Sequence, residues 1–142
     1  MKEAVVALDV GDKTIGVAAS DALGWAHPVR TIRRRNLEAD LDELAAILEE
    51  RDAKRIVVGL PLNMDGSEGP RAEKTRRFAE RLAARFDLPV ILWDERLSTW
   101  EAEGLLREAG ARRTKRKDWV DAVAAQLILT SYLDAGAPDR GL

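Results

Sequence analysis

The sequence predicts an α/β fold with one mixed five-stranded sheet and helices on both of its faces. Residues 4–10 form a continuous apolar run, which is typical of a central strand that is covered on both sides. Strand-like segments follow at 14–20 and 26–34, and three consecutive strands predict an antiparallel meander. After residue 36, helical and strand-like segments alternate, so the later strands should be parallel and joined by right-handed crossovers.

The first half of the chain should contain three strands and one helix. The turn signal Gly11-Asp12-Lys13 joins the first two strands into a hairpin. The third strand is weaker and begins around Pro28. Leucines at helical spacing predict an amphipathic helix over 37–51, with Asn36 as its N-cap.

The second half of the chain continues the alternation of strands and helices. The predicted elements are a strand over 55–60, a polar loop over 61–69, a helix over 70–86, a strand over 89–93, a short helix over 98–109 and a last helix over 118–133. Pro70 suits a first helical turn, and the segment from Ser98 to Glu101 matches a capping box. We therefore expect one domain over residues 1–135 and a flexible tail over 136–142.

Composition limits the class of protein. The chain has 142 residues, of which 46% are hydrophobic, and this suffices for the packed core of one domain. Cysteine is absent, which excludes a disulfide scaffold and a thiolate zinc site. The sequence shows neither a secretory signal pattern nor an apolar run of about 18 residues, so we expect a cytoplasmic protein without membrane contact.

Charge is nearly balanced over the chain but is locally segregated. The 23 basic and 25 acidic residues give a net charge of −2, so the chain as a whole lacks the positive excess of many nucleic-acid-binding proteins. Basic residues cluster in two segments, namely Arg30, Arg33, Arg34 and Arg35, and Arg112, Arg113, Lys115, Arg116 and Lys117. For the first cluster, solvated surface and phosphate binding remain open alternatives. The second favours a ligand, because five crowded bases repel one another.

Acidic residues occur where three predicted elements could meet. Asp9 ends an apolar strand, where an unpaired buried carboxylate would be costly. Glu95 directly follows the fifth strand, and ligand sites of open α/β sheets lie at the carboxyl ends of parallel strands. Asp118 and Asp121 share one face at the start of the last helix. Each acid also has a simpler interpretation, as a turn cap, a solvated acid or a favourable charge at a helix N-terminus.

Convergence of these acids would be more specific than any one of them. Carboxylates without available thiolates are ligands for hard cations such as Mg²⁺ or Mn²⁺. Two such ions can clamp the attacking and leaving oxygens of a phosphodiester. Basic clusters near the same edge of the sheet would hold the polyanion.

The sequence resembles the YqgF/RuvX family in four segments that occur in order over about residues 4–133. They are Ala7-Leu8-Asp9-Val10-Gly11 with Ile15-Gly16-Val17-Ala18, then Val57-Val58-Gly59-Leu60-Pro61-Leu62-Asn63-Met64-Asp65-Gly66, then Asp94-Glu95-Arg96-Leu97-Ser98-Thr99, and last Val120-Asp121-Ala122 before Ala124-Ala125. The family is described as bacterial Holliday junction resolvases or nucleases that mature the 5′ end of pre-16S rRNA. Its fold is RNase H-like.

The resemblance implies the sheet order 3-2-1-4-5 and hydrolysis of phosphodiesters with a divalent metal, Mg²⁺ or Mn²⁺. It implies that Asp9, Glu95 and Asp121 are the metal-binding catalytic acids. Asp118 is less typical of the family and is left out of this set.

A nucleic-acid substrate implies further contacts around these acids. The residues expected to make them are Lys13, Asn63, Arg96, Arg112, Arg113, Lys115, Arg116 and Lys117. For Asn63, simple closure of its loop is an open alternative. Trp93 and Trp100 flank Glu95 in the sequence, and a place in the core is favoured for them over stacking on bases.

The leading functional hypothesis is a metal-dependent nuclease for the 5′ end of pre-16S rRNA. Holliday junction resolution is the alternative. A symmetric junction requires a two-fold dimer, so a monomer and a homodimer both stay open as oligomeric states of this protein. A non-catalytic nucleic-acid binder is less favoured. The Asp9–Gly16 turn also resembles the phosphate loop of sugar kinases and Hsp70-type ATPases, but those proteins close two such domains on ATP.

Overall fold

The computed structural model describes residues 2–97 and 117–142, except for the side chains of residues 117 and 118. Its elements are β1 (Ala4–Val10), β2 (Thr14–Ser20), β3 (Ala26–Arg33), α1 (Leu37–Glu50), β4 (Ala53–Leu60), α2 (Pro70–Arg85), β5 (Val90–Asp94) and α3 (Lys117–Asp134). The five strands form one sheet in the order β3-β2-β1-β4-β5. The predicted fold class and the strand order implied by the resemblance are therefore confirmed.

The pairing of the strands follows the predicted pattern. β1 pairs antiparallel with β2 and parallel with β4, while β2 pairs antiparallel with β3 and β4 pairs parallel with β5. Asn36 caps α1 as predicted, since its side chain accepts a hydrogen bond from the backbone N–H of Ala39. The bounds differ by one or two residues, and the helix predicted over 98–109 lies outside the described residues.

Alternation along the strands divides the core into two layers. Val6, Leu8 and Val10 of β1 face α1 and α2, where they pack with residues such as Leu44 and Phe78. The intervening residues Val5 and Ala7 face α3 and join a second cluster, whose members also include Ile91, Ile128, Leu129 and Tyr132. Successive residues of β1 therefore serve opposite faces of the sheet.

Close approach of α3 to the sheet depends on two glycines. A Cβ atom at Gly16 would lie 1.9 Å from the backbone carbonyl oxygen of Asp121, and one at Gly59 would lie 2.5 Å from Cδ1 of Ile128. The clash at Gly16 would be with backbone, which cannot move aside as a flexible side chain can. Gly16 therefore sets how near Asp121 can come to β2.

The C-terminal residues lie against β4 and β5. Arg55 of β4 donates hydrogen bonds to the hydroxyl of Tyr132 and to the carbonyl of Ala137, at 2.8 and 2.9 Å. The backbone N–H of Leu142 donates to the carbonyl of Leu92 at 2.9 Å. The flexibility expected for 136–142 stays a prediction, and these contacts weigh against it; amide hydrogen exchange across the tail would measure it.

Among the described helices, none has the length and hydrophobicity needed to cross a membrane.

Candidate active site

Strand alternation places two of the predicted acids on the face that α3 covers. Asp9 follows Val5 and Ala7 at intervals of two along β1, and these residues pack in the cluster of that face. Glu95 follows Ile91 and Trp93 in the same way, one residue beyond the end of β5. Its backbone N–H donates to the carbonyl of Leu60 at 3.1 Å, which continues the β4–β5 pairing past the strand end.

Asp9 and Glu95 form a hydrogen-bonded pair of carboxyl groups. Their loss of solvent raises the pKa of both, and the neighbouring Asp9 carboxylate adds to this effect by raising the pKa of Glu95 to about 8. A hydrogen bond between two carboxyl groups requires a proton on one of them. The pair therefore holds one shared proton near neutral pH.

Asp121 approaches this pair from α3. Its negative charge is a further cause of the raised pKa of Asp9, after burial. Thr14 at the start of β2 donates a hydrogen bond from Oγ1 to Oδ2 of Asp121 at 2.8 Å. Asp9 is also paired in register with Gly16, the residue that lets the backbone of Asp121 come close. The structure thus brings the three acids predicted from the sequence to one end of the sheet.

The donor set suits a hard divalent cation in its chemistry. Burial is the largest cause of the raised pKa of both carboxyl groups, and the charge of Asp9 raises that of Glu95 further, so the pair keeps a shared proton that a cation would replace. In residues 2–97 and 117–142, however, no three acidic or histidine side chains are already arranged as a complete metal-binding group. Asp9 and Glu95 are in hydrogen-bond contact, while Asp121 lies near them and is held by the hydrogen bond from Thr14.

Arg71 supplies positive charge next to the acids. It is the second residue of α2, and its charge lowers the pKa of both Asp9 and Glu95 against the stronger effect of burial. The N-terminal turn of α2 therefore places a cation near the Asp9–Glu95 pair.

The β1–β2 turn is held from the opposite face by Arg34. Its guanidinium donates to the carbonyl of Gly11 at 2.9 Å, lies 5.1 Å from the ring centroid of Phe78, and pairs with Asp40 at 3.3 Å. The Asp40 side chain is only 1% exposed and also accepts a hydrogen bond from the backbone N–H of Arg35. A partly buried ion pair thus anchors the turn that follows Asp9.

Comparison with known proteins assigns this arrangement to a family. The model of the RuvX family, described as "Holliday junction resolvase", matches residues 3–135. This chain belongs to the RuvX family.

Curated relatives of this RuvX chain carry the name "Putative pre-16S rRNA nuclease". The relative from Myxococcus xanthus is 54% identical over 132 residues, which are 92% of this chain and 87% of the relative. The relative from Desulforamulus reducens is 50% identical over 134 residues, covering 94% and 98% of the two chains. The relative from Symbiobacterium thermophilum is 55% identical over 131 residues, covering 92% and 91%.

Among solved structures, RuvC of Thermus thermophilus has a similar fold. Its complex with a Holliday junction substrate superposes with a TM-score of 0.62 at 13% identity, covering 95% of this chain and 97% of that chain. A second structure of the same protein gives a TM-score of 0.54, also at 13% identity, with 94% and 96% covered. At this identity the likeness concerns the fold, and it confirms the RNase H-like class.

Two residues expected to contact nucleic acid are engaged within the protein. Arg96 pairs with Asp94, with Nη2 2.8 Å from the carboxylate, and donates from Nη1 to the carbonyls of Asn63 and Met64. Asn63 donates from its side chain to Oγ of Ser67 at 3.0 Å. These contacts close the 61–69 loop onto the end of β5, which is the simpler of the two interpretations of Asn63. Nucleic-acid binding by Asn63 and Arg96 stays a prediction.

Of the remaining predicted residues, some lie in the described part of the chain and the others lie outside it. Lys13 is exposed on the β1–β2 turn. The basic residues Arg112, Arg113, Lys115 and Arg116, together with Trp100, lie outside the described residues, as do the side chains of Lys117 and Asp118. Trp93 packs edge-on against Tyr132 and donates from its ring nitrogen to Ser131 at 3.0 Å, so it has the core position that was favoured for it.

Sequence reasoning missed Thr14, Arg71, and the Arg34–Asp40 pair as parts of the site. Arg71 recurs at helical spacing with Lys74, Arg77 and Arg81, and this pattern could have indicated a basic face of α2. No sequence signal indicates that Thr14 meets Asp121, because the two residues are 107 positions apart in the chain.

Proposed function

We propose that this chain is a divalent-metal-dependent nuclease that hydrolyses phosphodiester bonds at the 5′ end of precursor 16S rRNA. Membership of the RuvX family and the names of the curated relatives support nuclease activity and the RNA substrate. The observation that supports metal dependence is the partly buried, hydrogen-bonded Asp9–Glu95 pair, with Asp121 near it. Carboxylates crowded in this way destabilise the fold unless a proton or a bound cation neutralises them.

Asp9, Glu95 and Asp121 are the residues that would hold the metal. A bound divalent ion supplies the positive charge that activates a water molecule and stabilises the leaving oxygen. Metal binding requires both Asp9 and Glu95 to be ionised, so the pair must release its shared proton. Thr14 fixes one oxygen of Asp121, and Arg71 places positive charge beside the carboxylates, where the phosphate of the substrate also needs it.

Resolution of Holliday junctions is the second candidate, and the description of the matching family model favours it. A four-way junction has two-fold symmetry, and paired incisions ask for two active sites related by the same symmetry. This function therefore requires a dimer, whereas trimming of an RNA end does not.

Cleavage of two substrates side by side tests the proposal. A pre-16S rRNA fragment that spans the mature 5′ end and a four-way DNA junction are each incubated with the protein in Mg²⁺, in Mn²⁺ and in EDTA. We expect cleavage of the RNA only when a divalent ion is present. Asp9→Asn protein, purified in the same way, controls for contaminating nucleases.

The outcomes separate the candidates. Symmetric incision of the junction by a dimer, with the RNA left intact, would favour the second candidate. Substrate binding without cleavage in any metal would contradict both and leave a non-catalytic nucleic-acid binder.

A further inference from the structure

A basic cavity lies beside the candidate active site, on the other face of the sheet. It has a volume of about 310 Å³ and is bounded by the β1–β2 turn at Val10–Asp12, by Arg34 with Phe78, and by one face of α2. Because Val10 and Asp9 point to opposite faces of the sheet, the cavity and the carboxylates are separated only by the turn. Its volume is at the lower end of the range for small-ligand pockets, which suits a group such as a phosphate with its sugar.

Positive charge dominates the lining of this cavity. Five cationic side chains line it, namely Arg34, Arg71, Lys74, Arg77 and Arg81, against the single carboxylate of Asp12. Asp12 is paired with Lys74 at 3.3 Å, so its charge is already compensated. The cavity therefore presents guanidinium groups, whose planar donors match phosphate oxygens in pairs.

The arginines of α2 differ in whether an acidic residue of the fold already pairs with them. Away from the cavity, Arg76 pairs with Glu68 at 2.7 Å and Arg85 pairs with Asp42 at 2.8 Å. Inside it, Arg77 and Arg81 have no ion pair with any residue in the described part of the chain. They are one helical turn apart, where like charges repel. An anion bound between them would remove this cost.

Arg34 and Arg71 relate the cavity to the β1–β2 turn and to the candidate active site. Arg34 is held by Asp40, by the carbonyl of Gly11 and by the ring of Phe78, so the floor of the cavity is preorganised. Arg71 lines the cavity and also acts electrostatically on both Asp9 and Glu95, so it is near both the cavity and the candidate active site. A nucleic-acid strand with one phosphodiester at the carboxylates can therefore continue across the β1–β2 turn into the cavity.

We propose that this cavity is a subsite for a backbone phosphodiester of the nucleic-acid substrate, with Arg77 and Arg81 as its principal ligands. The subsite rests on the proposed nuclease function for its substrate class. With this subsite, the nucleic-acid strand would run from the carboxylates over the β1–β2 turn and along the cationic face of α2. It binds and positions the strand and does not take part in bond cleavage.

Equilibrium binding of RNA by an Arg77→Gln/Arg81→Gln variant tests the subsite. Both side chains are exposed and glutamine favours helices, so the variant should fold normally, and a melting curve verifies this. The control is Arg51→Gln/Lys54→Gln, which removes the same charge from exposed positions just before and at the start of β4. Affinity for the pre-16S rRNA fragment is measured in EDTA over a series of salt concentrations, so that binding is read without cleavage.

We expect the cavity variant to bind more weakly and to lose roughly 0.7 to 0.9 from the log–log salt slope for each phosphate contact removed. The control variant should keep the slope of the unmodified protein. Equal slopes for all three proteins would overturn the subsite, while metal-dependent cleavage by the unmodified protein would still stand on its own. If instead the slope changes as expected but no protein cleaves RNA, the proposed nuclease function fails and the phosphate subsite survives.

A second arm separates a backbone phosphate from a terminal one. The same RNA is prepared with a 5′-phosphate and with a 5′-hydroxyl. An equal effect of the cavity variant on both supports a backbone subsite. An effect confined to the 5′-phosphorylated RNA would overturn it in favour of a terminal-phosphate pocket.

Discussion

The two faces of the sheet carry opposite charges at the β1–β2 turn. On the α3 face, Asp9, Glu95 and Asp121 come from three distant elements, and burial together with a neighbouring carboxylate raises the pKa of Asp9 and of Glu95. On the α1/α2 face, most of the cations come from a single helix. A site assembled from distant elements depends on the packing of the whole fold, whereas a site on one helix depends mainly on local spacing. Substitutions on the two faces should therefore act differently.

The largest effect is expected on the α3 face, from Asp9→Asn and Glu95→Gln. Each removes one carboxylate of a pair that acts as a unit, so each should lower cleavage by at least roughly 10³-fold, and the double variant should be scarcely worse. Cleavage rates in Mn²⁺ measure this, with RNA binding in EDTA as the control that the fold is retained. Near-normal activity of Glu95→Gln would place Glu95 outside the site.

Gly16→Ala tests whether the α3 face depends on close packing. The added Cβ would lie 1.9 Å from the carbonyl oxygen of Asp121, so α3 must move away from β2. We expect a loss of about 1–3 kcal/mol in the free energy of unfolding, together with weaker cleavage. Denaturant titration measures the loss.

Gly69→Ala is the matched control, because its Cβ would make only an ordinary contact, 3.6 Å from the side chain of Asn63. It should cost less than about 1 kcal/mol. Similar losses in the two variants would mean that the space at Gly16 is not limiting.

Asp40→Asn tests the ion pair between Asp40 and Arg34, which holds the β1–β2 turn. Without the charge of Asp40, Arg34 loses its ion pair and holds the Gly11 carbonyl less firmly. We expect a loss of about 1–3 kcal/mol in the free energy of unfolding and a smaller fall in cleavage than for Asp9→Asn. Asp42→Asn, at an exposed ion pair of the same helix, is the control and should cost less than about 1 kcal/mol. Equal losses for both variants would show that burial of Asp40 is unimportant.

The smallest effect is expected in the pH dependence of the stability of the metal-free protein. The pKa of Glu95 is raised to about 8 in the fold, from 4.5 for an ordinary glutamate. The folded state therefore binds this proton more tightly, and its contribution to stability is present below pH 4.5 and is lost as the pH rises through about 8.

Melting curves in EDTA between pH 5 and pH 9 measure this contribution. Tm should fall by a few degrees more in the unmodified protein than in Glu95→Gln, which cannot titrate at this position. Mn²⁺ should raise Tm at the higher pH through binding to the folded state, and this rise should shrink in Glu95→Gln. A pH profile that is the same in both proteins would contradict the shared proton of the Asp9–Glu95 pair.

The sequence by itself determined the strands, the helices and the choice of acids. Apolar runs such as 4–10 and the leucine spacing of α1 show directly which residues will be buried. The predicted bounds of these elements therefore agree with the structure within one or two residues. The period of two along a strand also fixes that Asp9 shares a face with Ala7. The resemblance to the RuvX family added the strand order and the roles of the acids.

Only the tertiary structure decided which distant groups touch. The hydrogen bond between Thr14 and Asp121 spans 107 positions, and the approach of α3 to Gly16 is a matter of backbone distance that no local pattern encodes. The paired or unpaired state of an arginine is decided in the same way. Arg76 and Arg77 are adjacent in sequence, yet one meets Glu68 and the other lines the basic cavity. Local patterns arise from interactions within a few residues, whereas the charge balance of a site is set by side chains that meet only once the chain has folded.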